Sequence, residues 1–542
     1  MDGGCLMKRR DLMAGGAGLA ATAGFAALGG LSAPALAQGA AARTLRFVPQ
    51  ANVSSLDPIW TTQFVIRNHS VLIFDTLFGI DSNFVPKPQM AEGAETSGDG
   101  LTTVIKLRPG LRFHTGEPVL AKDAVQSLKR WMVRDVMGGQ IRAVLDDITA
   151  PDDRTIRIQL KRPYRQLLFA LAKTGTNCAF IMPERIAMTD PFQQISEAIG
   201  SGPYRFIRDE WVPGSRSVYQ KFDGYVPRQE RGDWFSGGKI AAIERIEWHI
   251  MPDPATASAA IQNGEVDWWE TPLPDLVPIL KRNRQVIVEQ TDPLGNVGAL
   301  RVNHLHTPFN HVKARQALML AVNQSDYMQS LMGSDPTGWR EMSTFFTPQT
   351  PLATELGKGT MTGPRSLDAA KKLLAESGYT NEKIVLIAAM DIAITKVQSE
   401  VTADVLKKLG MNVDFVATDW GSVGARRQKK DAPEAGGWHI FHTWFAGADC
   451  ANPAAYSGMR ANGGTAWFGW PDIPEVEAGI TEWFDSATPE AAKAAAVKID
   501  KASIEQVSYI PTGQFFLPQA WRRNISGIQK APLPIFFGVT KT

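Results

Sequence analysis

Residues 44–48 alternate polar and apolar, with Leu45 and Phe47 on one face, which is the two-residue period of a half-buried strand. A turn-rich break at 52–58 separates it from the apolar segment 65–78, which predicts a helix. Alternation returns at 101–108 and again at 154–160, where Ile156, Ile158 and Leu160 share a face, and Pro109-Gly110 turns the chain after the first of these runs. Both runs predict antiparallel strands of a small subdomain. Between them, Ala124, Val125, Leu128, Trp131 and Met132 recur at helical spacing within 121–134, so one stripe of that helix can pack on the sheet.

The second half has a different pattern. Residues 383–388 form a short, nearly continuous apolar run, as expected of a strand buried on both faces. The following segment, 395–409, carries Val397, Val401, Val405, Leu406 and Leu409 as a helical stripe, and Gly410 supplies the left-handed residue that ends many helices. Met411, Val413 and Phe415 then alternate with polar neighbours, so the unit is strand, helix, strand, and predicts parallel pairing through a helical crossover. Residues 366–378 predict another helix with Leu373 and Leu374 inward and Gly378 as its stop. An Ala-rich stretch at 491–497 predicts a helix entered through Thr488-Pro489. The fold class is α/β, without internal repeats.

The N-terminus has another purpose. Lys8-Arg9-Arg10, an uncharged Gly- and Ala-rich stretch at 12–33 and the small-residue run Ala35-Leu36-Ala37 give the order of a cleavable export peptide with twin-arginine character. Cleavage after Ala37 would leave Gln38 first and place the protein in the periplasm. An uncleaved anchor is the competing reading, and six glycines within 12–33 make that stretch weakly hydrophobic. The chain of 542 residues is large enough for about three folding units. With 57 basic and 55 acidic residues it lacks the basic field of a nucleic-acid binder, and Arg426-Arg427-Gln428-Lys429-Lys430 reads as a solvated loop or helix face.

Catalytic signatures are missing from the sequence. There is no Gly-rich phosphate loop, no Ser flanked by the glycines of a nucleophile elbow and no His-Glu-x-x-His, and no cofactor is expected. If His304 and His306 lie on a strand they share a face and can reach one metal ion, although solvent-facing or satisfied histidines are the favoured reading; His439 and His442 form a weaker pair. Cys178 and Cys450 are either bonded or buried free thiols. Aromatic density is the positive signal: 15 Trp, clustered at Trp268-Trp269, Trp420, Trp444-Phe445 and Trp467-Phe468-Gly469-Trp470. Such clusters beside turn glycines suit either the walls of a ligand cleft or core packed under loops.

The order of segments resembles the family 5 extracellular solute-binding proteins, the dipeptide-, oligopeptide- and nickel-binding components of ABC importers. The resemblance runs through Leu56-Asp57-Pro58, then Leu107-Arg108-Pro109-Gly110-Leu111-Arg112-Phe113-His114-Thr115-Gly116 followed by Ala121-Lys122-Asp123-Ala124-Val125. It continues through Gly200-Ser201-Gly202-Pro203-Tyr204, Asn263-Gly264-Glu265-Val266-Asp267, Arg301-Val302-Asn303 and Pro308-Phe309-Asn310. It implies a two-lobed periplasmic-binding-protein clamp with a discontinuous first lobe carrying an extra subdomain. Lobe I would span 38–297 with the subdomain at about 86–195, lobe II 298–511, and 512–542 would return to lobe I, with crossings near 295–300 and 509–514.

The same resemblance implies capture of a small solute, a peptide or peptide-like molecule, by hinge closure, with delivery to an ABC permease of the inner membrane and no covalent chemistry. The receptor is expected to be a monomer and not an enzyme. A secreted hydrolase with cleft carboxylates, or a metal-chelate receptor of the same fold, is the alternative. Asp449 matches the aspartate that pairs with a ligand's amino terminus, although Asn452 stands before Pro453 where relatives often have a second aspartate. Trp444, Phe445, Trp420 and Trp269 are the expected walls, and Thr61 and Thr62 fall where relatives line the first lobe.

Overall fold

A computed structural model describes residues 43–486 and 488–542; the expected signal peptide and its cleavage point lie outside them. Two mixed sheets form the frame. In the first, Thr44–Val48 lies parallel to and between Arg245–His249 and Trp268–Trp269. Arg216–Lys221 and Tyr204–Phe206 extend it antiparallel on one side, and Pro518–Arg522 and Val286–Gln290 on the other. In the second, Asn296–Val302 pairs antiparallel with both Ile440–Ala446 and Ile510–Phe515; Trp339–Arg340 closes one edge, and Lys383–Ala389 with Asn412–Thr418 the other.

The chain therefore leaves the first sheet after Gln290 and re-enters it at Pro518, which makes the first lobe discontinuous. The crossings expected near 295–300 and 509–514, like the boundaries expected at 297/298 and 511/512, fall instead inside two strands paired with each other. A boundary there would cut a ladder whose buried N–H and C=O groups satisfy one another. The connecting segments are 291–295 and 516–517.

The inserted subdomain carries the four-stranded antiparallel sheet of Ala91–Thr96, Thr102–Leu107, Thr155–Leu160 and Leu145–Thr149. Helix Ala121–Arg134 buries Ala124, Leu128 and Trp131, and Ile156, Ile158 and Leu160 are buried as their alternation predicts. The apolar run 65–78 is helical only over Phe64–Ile73; Phe74 is extended, and Asp75–Thr76 pairs with Phe180–Ile181. Asp57 of the Leu-Asp-Pro turn is buried and accepts from Arg130 Nη1 and Nη2 at 3.1 and 2.6 Å. It also accepts from the backbone N–H groups of Ile59 and Ile195, both at 3.1 Å. That turn thus ties the first lobe to the subdomain helix. Gly200 and Gly202 lie directly on the carbonyl of Ile73, where a Cβ would overlap it, so the 200–204 turn is a close-approach device.

In the second lobe, Lys383–Ala389 and Asn412–Thr418 pair in parallel across helix Ala393–Lys408, and Gly410 follows the helix at φ 84°. The expected stripe is buried in its second half, at Val405, Leu406 and Leu409, but differs in its first half, where Gln398, Ser399 and Thr402 are buried and Val397 and Val401 are only partly so. Gln398 accepts from Thr512 at 2.5 Å, and Thr402 bonds Tyr327 at 2.8 Å and His442 Nε2 at 2.7 Å. Hydrogen-bonded polar groups are tolerated inside, so a network of this kind can occupy a core face that sequence hydrophobicity assigns to valines. Among the described residues no helix is long and apolar enough to cross a membrane.

Candidate functional site

Residues from both lobes line a cavity of about 730 Å³, within the size range of small-ligand sites. Of the residues expected at the site, Asp449, Trp444, Phe445, Trp420, Trp269 and Thr62 line it, and Thr61 does not. Trp444 and Phe445 sit near the end of strand Ile440–Ala446, where it approaches the crossing at 291–295. Trp420 opens the short helix Trp420–Arg426, whose N-terminus is capped by Asp419 accepting from Ser422 N at 2.9 Å. Trp269 comes from the first sheet, and Thr62 from the segment before helix Phe64–Ile73.

These side chains build an aromatic wall across the lobes. Trp420 stacks on Trp444 with ring centroids 5.8 Å apart and planes at 30°, and Phe64 of the first lobe meets Trp444 edge-on at 6.2 Å. Phe445 is more nearly core, packed on Tyr456, Trp467 and Tyr509. The wall supplies apolar area and stacking faces; orientation must come from the charged groups beside it.

Asp449 is the first of these. Among the described residues no hydrogen bond or ion pair holds its carboxylate. Burial lifts its pKa from its ordinary value, against the opposing pull of the positive charges of Arg67 and Lys173. Lys173 itself forms a buried ion pair with Asp135. The subdomain backbone closes over Asp449 at Gly175, where a Cβ would overlap the carboxylate. Arg427 is the second: buried, lining the cavity, and set among aromatic rings.

Two further carboxyls lie outside the cavity lining. Glu270 accepts from Gln50 N at 2.8 Å and Asn68 Nδ2 at 2.9 Å, and burial raises its pKa to about 7. Asp292, on the 291–295 crossing, accepts from Leu294 N at 2.9 Å and is likewise raised to about 7 by burial. Their ordinary values are 4.5 and 3.8, so between about pH 4 and 7 the native state holds protons that the unfolded chain has released. Stability is therefore expected to fall as pH rises through that window, by up to about 1.4 kcal/mol per pH unit for each proton, and to level off above it. Asp292→Asn keeps the acceptor for Leu294 N and should flatten part of the fall. Urea unfolding at pH 5 and pH 8 measures this, and an unchanged slope would remove Asp292 from the account.

The histidines take other roles. His304 and His306 lie in a turn beyond the end of strand Asn296–Val302, so the shared strand face expected of them is not formed. His304 Nε2 contacts the Ser508 carbonyl at 3.2 Å, while His439 Nδ1 accepts from Val385 N at 2.9 Å. Among the described residues no group of three or more His, Cys, Asp or Glu is arranged to hold a metal ion. Cys178 and Cys450 are both free and buried. Sequence reasoning missed Arg427, read with its neighbours as a solvated cluster, and it missed Tyr456 and Phe64 as cavity residues, whereas Trp467, named among the aromatic clusters, does line the cavity. A signal for Arg427 was available: Trp420, Val423 and Arg427 recur at positions i, i+3 and i+7 of one helical face.

Two sheets, two crossings and a shared cavity define a two-lobed clamp of the periplasmic-binding-protein kind. The chain belongs to family 5 of the bacterial extracellular solute-binding proteins: residues 85–467 match the description "Bacterial extracellular solute-binding proteins, family 5 Middle". A probable peptide ABC transporter periplasmic-binding protein of Sinorhizobium fredii is 36% identical over 542 residues, covering 99% of each chain. Among solved structures, a periplasmic binding protein of A. tumefaciens in complex with agropinic acid superposes with a TM-score of 0.78 at 18% identity, covering 92% of this chain and 99% of that one. A dipeptide-binding protein of Pseudoalteromonas in complex with Met-Leu superposes at 0.77 and 20% identity, covering 92% and 100%. At these identities the structural likeness is one of fold.

Proposed function

We propose that the protein captures a peptide or peptide-like solute in this cleft, closes about the segments 291–295 and 516–517, and presents the closed form to the permease of an ABC importer. The cavity's Asp449 carries this reading. A carboxylate raised in pKa by burial, with no hydrogen-bonding partner among the described residues, is completed by a solute ammonium group, because either charge alone is costly to desolvate. The peptide-transporter name of the Sinorhizobium relative supports the same solute class. In this reading residues 1–37 direct export to the periplasm, the mature chain begins at Gln38, and the receptor acts as a monomer without turning its solute over.

Thermal melts of the purified protein against di- to pentapeptides, opines, sugars and metal chelates test it. Native-state binding adds about 2.7 kcal/mol at a hundredfold excess over the dissociation constant, so a true solute shifts the midpoint measurably. Shifts with peptides that are recovered intact by mass spectrometry support the reading. Shifts confined to sugars or metal chelates, or a peptide recovered as fragments, would refute it.

A further inference from the structure

The inserted subdomain reaches the second lobe at two places. Inside the cleft, Gly175 lies against Asp449 and Thr176 lines the cavity. Outside it, the loop 161–166, which follows strand Thr155–Leu160, meets the end of helix Pro474–Asp485. The ring of Tyr164 lies 5.6 Å from that of Phe484 with the planes at 30°, and Arg162 Nη1 donates to Asp485 Oδ1 at 3.0 Å. None of these four residues lines the cavity. Among the described residues Arg162–Asp485 is the one ion pair, and Tyr164–Phe484 the one ring contact, between the subdomain and the second lobe.

The loop is held by its own side of the cleft. Lys161 N donates to Val144 O at 2.8 Å and Leu167 N to Tyr164 O at 3.2 Å. Pro163, between the two contacting residues, fixes its own φ and packs where Gly100 presents no side chain. The subdomain is tied in turn to the first lobe, through Asp57 with Arg130 and through the pairing of Asp75–Thr76 with Phe180–Ile181. Two features of the contact have no local reason. Asp485 is the last residue of its helix, where a negative charge opposes the helix dipole and no basic residue offsets it within the last turn. Tyr164 is 7% exposed and its hydroxyl is buried without a hydrogen-bond partner, with Arg460 of the second lobe near enough to act on it through space.

We infer that Arg162, Tyr164, Phe484 and Asp485 form a latch that fastens the clamp from outside the cleft and adds a preference for the closed form that is the same whichever solute is bound. This rests on the reading of the molecule as a clamp that closes about 291–295 and 516–517. Parting the lobes separates the charge pair and returns the two rings to water, which their apolar faces resist. It also rehydrates the Tyr164 hydroxyl, which limits the hold. The ion pair, half exposed on both sides, adds little by itself and leaves the solute's own contacts decisive. Apparent affinity scales with the population of the binding-competent form, so a latch that touches no solute changes every affinity by one factor.

Small-angle X-ray scattering of the solute-free, full-length protein reads the closed fraction, and calorimetric titration with alanyl-leucine and with glycyl-phenylalanine reads the affinity. Arg162→Asp, a charge reversal at an exposed position, should open the solute-free protein and weaken both dipeptides by the same factor, about 2- to 5-fold. Asp485→Arg should do likewise, and the double reversal should recover the wild type. Tyr164→Phe removes the hydroxyl and keeps the ring pair, so it should shift both readings the other way, towards closure and binding about 5-fold tighter or more. Scattering and affinity unchanged by the single reversals, a double reversal no better than either, or a factor that differs between the two dipeptides would overturn the latch and leave the peptide reading standing. If neither dipeptide binds, the peptide reading fails and the solute-free protein decides: a more open Arg162→Asp restored by the double reversal supports the latch, and scattering identical to the wild type overturns it. A dipeptide that binds without compacting the wild type would remove closure itself, and the latch with it.

Discussion

Asp449→Asn is expected to weaken binding of a dipeptide with a free amino terminus by about 30-fold or more, since removing one partner of a desolvated, hydrogen-bonded charge pair costs about 2–5 kcal/mol. The N-acetylated dipeptide should bind the wild type weakly and be indifferent to the substitution. The empty variant should melt at or above the wild-type temperature. Burial has already raised the native pKa of this carboxyl, so its contribution to stability is fully present below its unfolded value and is lost as pH rises through the native one. The neutral amide escapes that loss, and its advantage should grow towards neutral pH. Titration calorimetry and melts at pH 5 and pH 7.5 measure both effects. Equal affinity of wild type and variant for the free dipeptide would end the role assigned to Asp449.

Asp57→Asn should have the largest effect on the fold itself, a loss of about 3–5 kcal/mol in urea unfolding. The substitution keeps the volume and one acceptor oxygen but leaves the buried Arg130 guanidinium without its counter-charge. Arg130 would still donate to the carbonyls of Thr189 and Gln193, which is why the loss should stop short of unfolding the subdomain. Adding Arg130→Met should recover most of the loss, because replacing both charges removes the uncompensated one. A loss below about 1 kcal/mol, or strict additivity of the two substitutions, would show that the pair is not what fastens the subdomain to the first lobe.

The resemblance to family 5 rested on short segments that prove to be fastenings rather than contacts. Leu56-Asp57-Pro58 is an ion-paired turn, and the glycines of 200–204 let one backbone lie on another. Such positions demand a particular residue type for local steric or electrostatic reasons, so they remain legible in a single chain. The cleft was legible in part for the same reason: tryptophans are few and large, and Trp420, Trp444 and Trp269 line the cavity that their clustering suggested. Arg427 was not. Its neighbours Gln428, Lys429 and Lys430 are exposed, and a largely basic run does not show which member is folded inward beneath Trp467 and Phe468.

By itself the sequence determined the local elements: the two-residue period of Thr155–Leu160, the helical stripe of Ala121–Arg134, the strand-helix-strand unit around Gly410, and the α/β class that follows from them. Periodicity is a property of neighbours in the chain, and neighbours are what a sequence displays. The tertiary structure alone decided where the lobes exchange the chain, which polar side chains enter the second core and which charges face one cavity. The strand Ile510–Phe515 belongs to the second lobe because it pairs with Asn296–Val302, some two hundred residues earlier. Gln398 is buried because Thr512 lies opposite it, and Asp449 is covered because Gly175 leaves room for it. Each of these depends on a partner distant in sequence, and hydrogen bonding, steric contact and Coulomb interaction act through space and not along the chain.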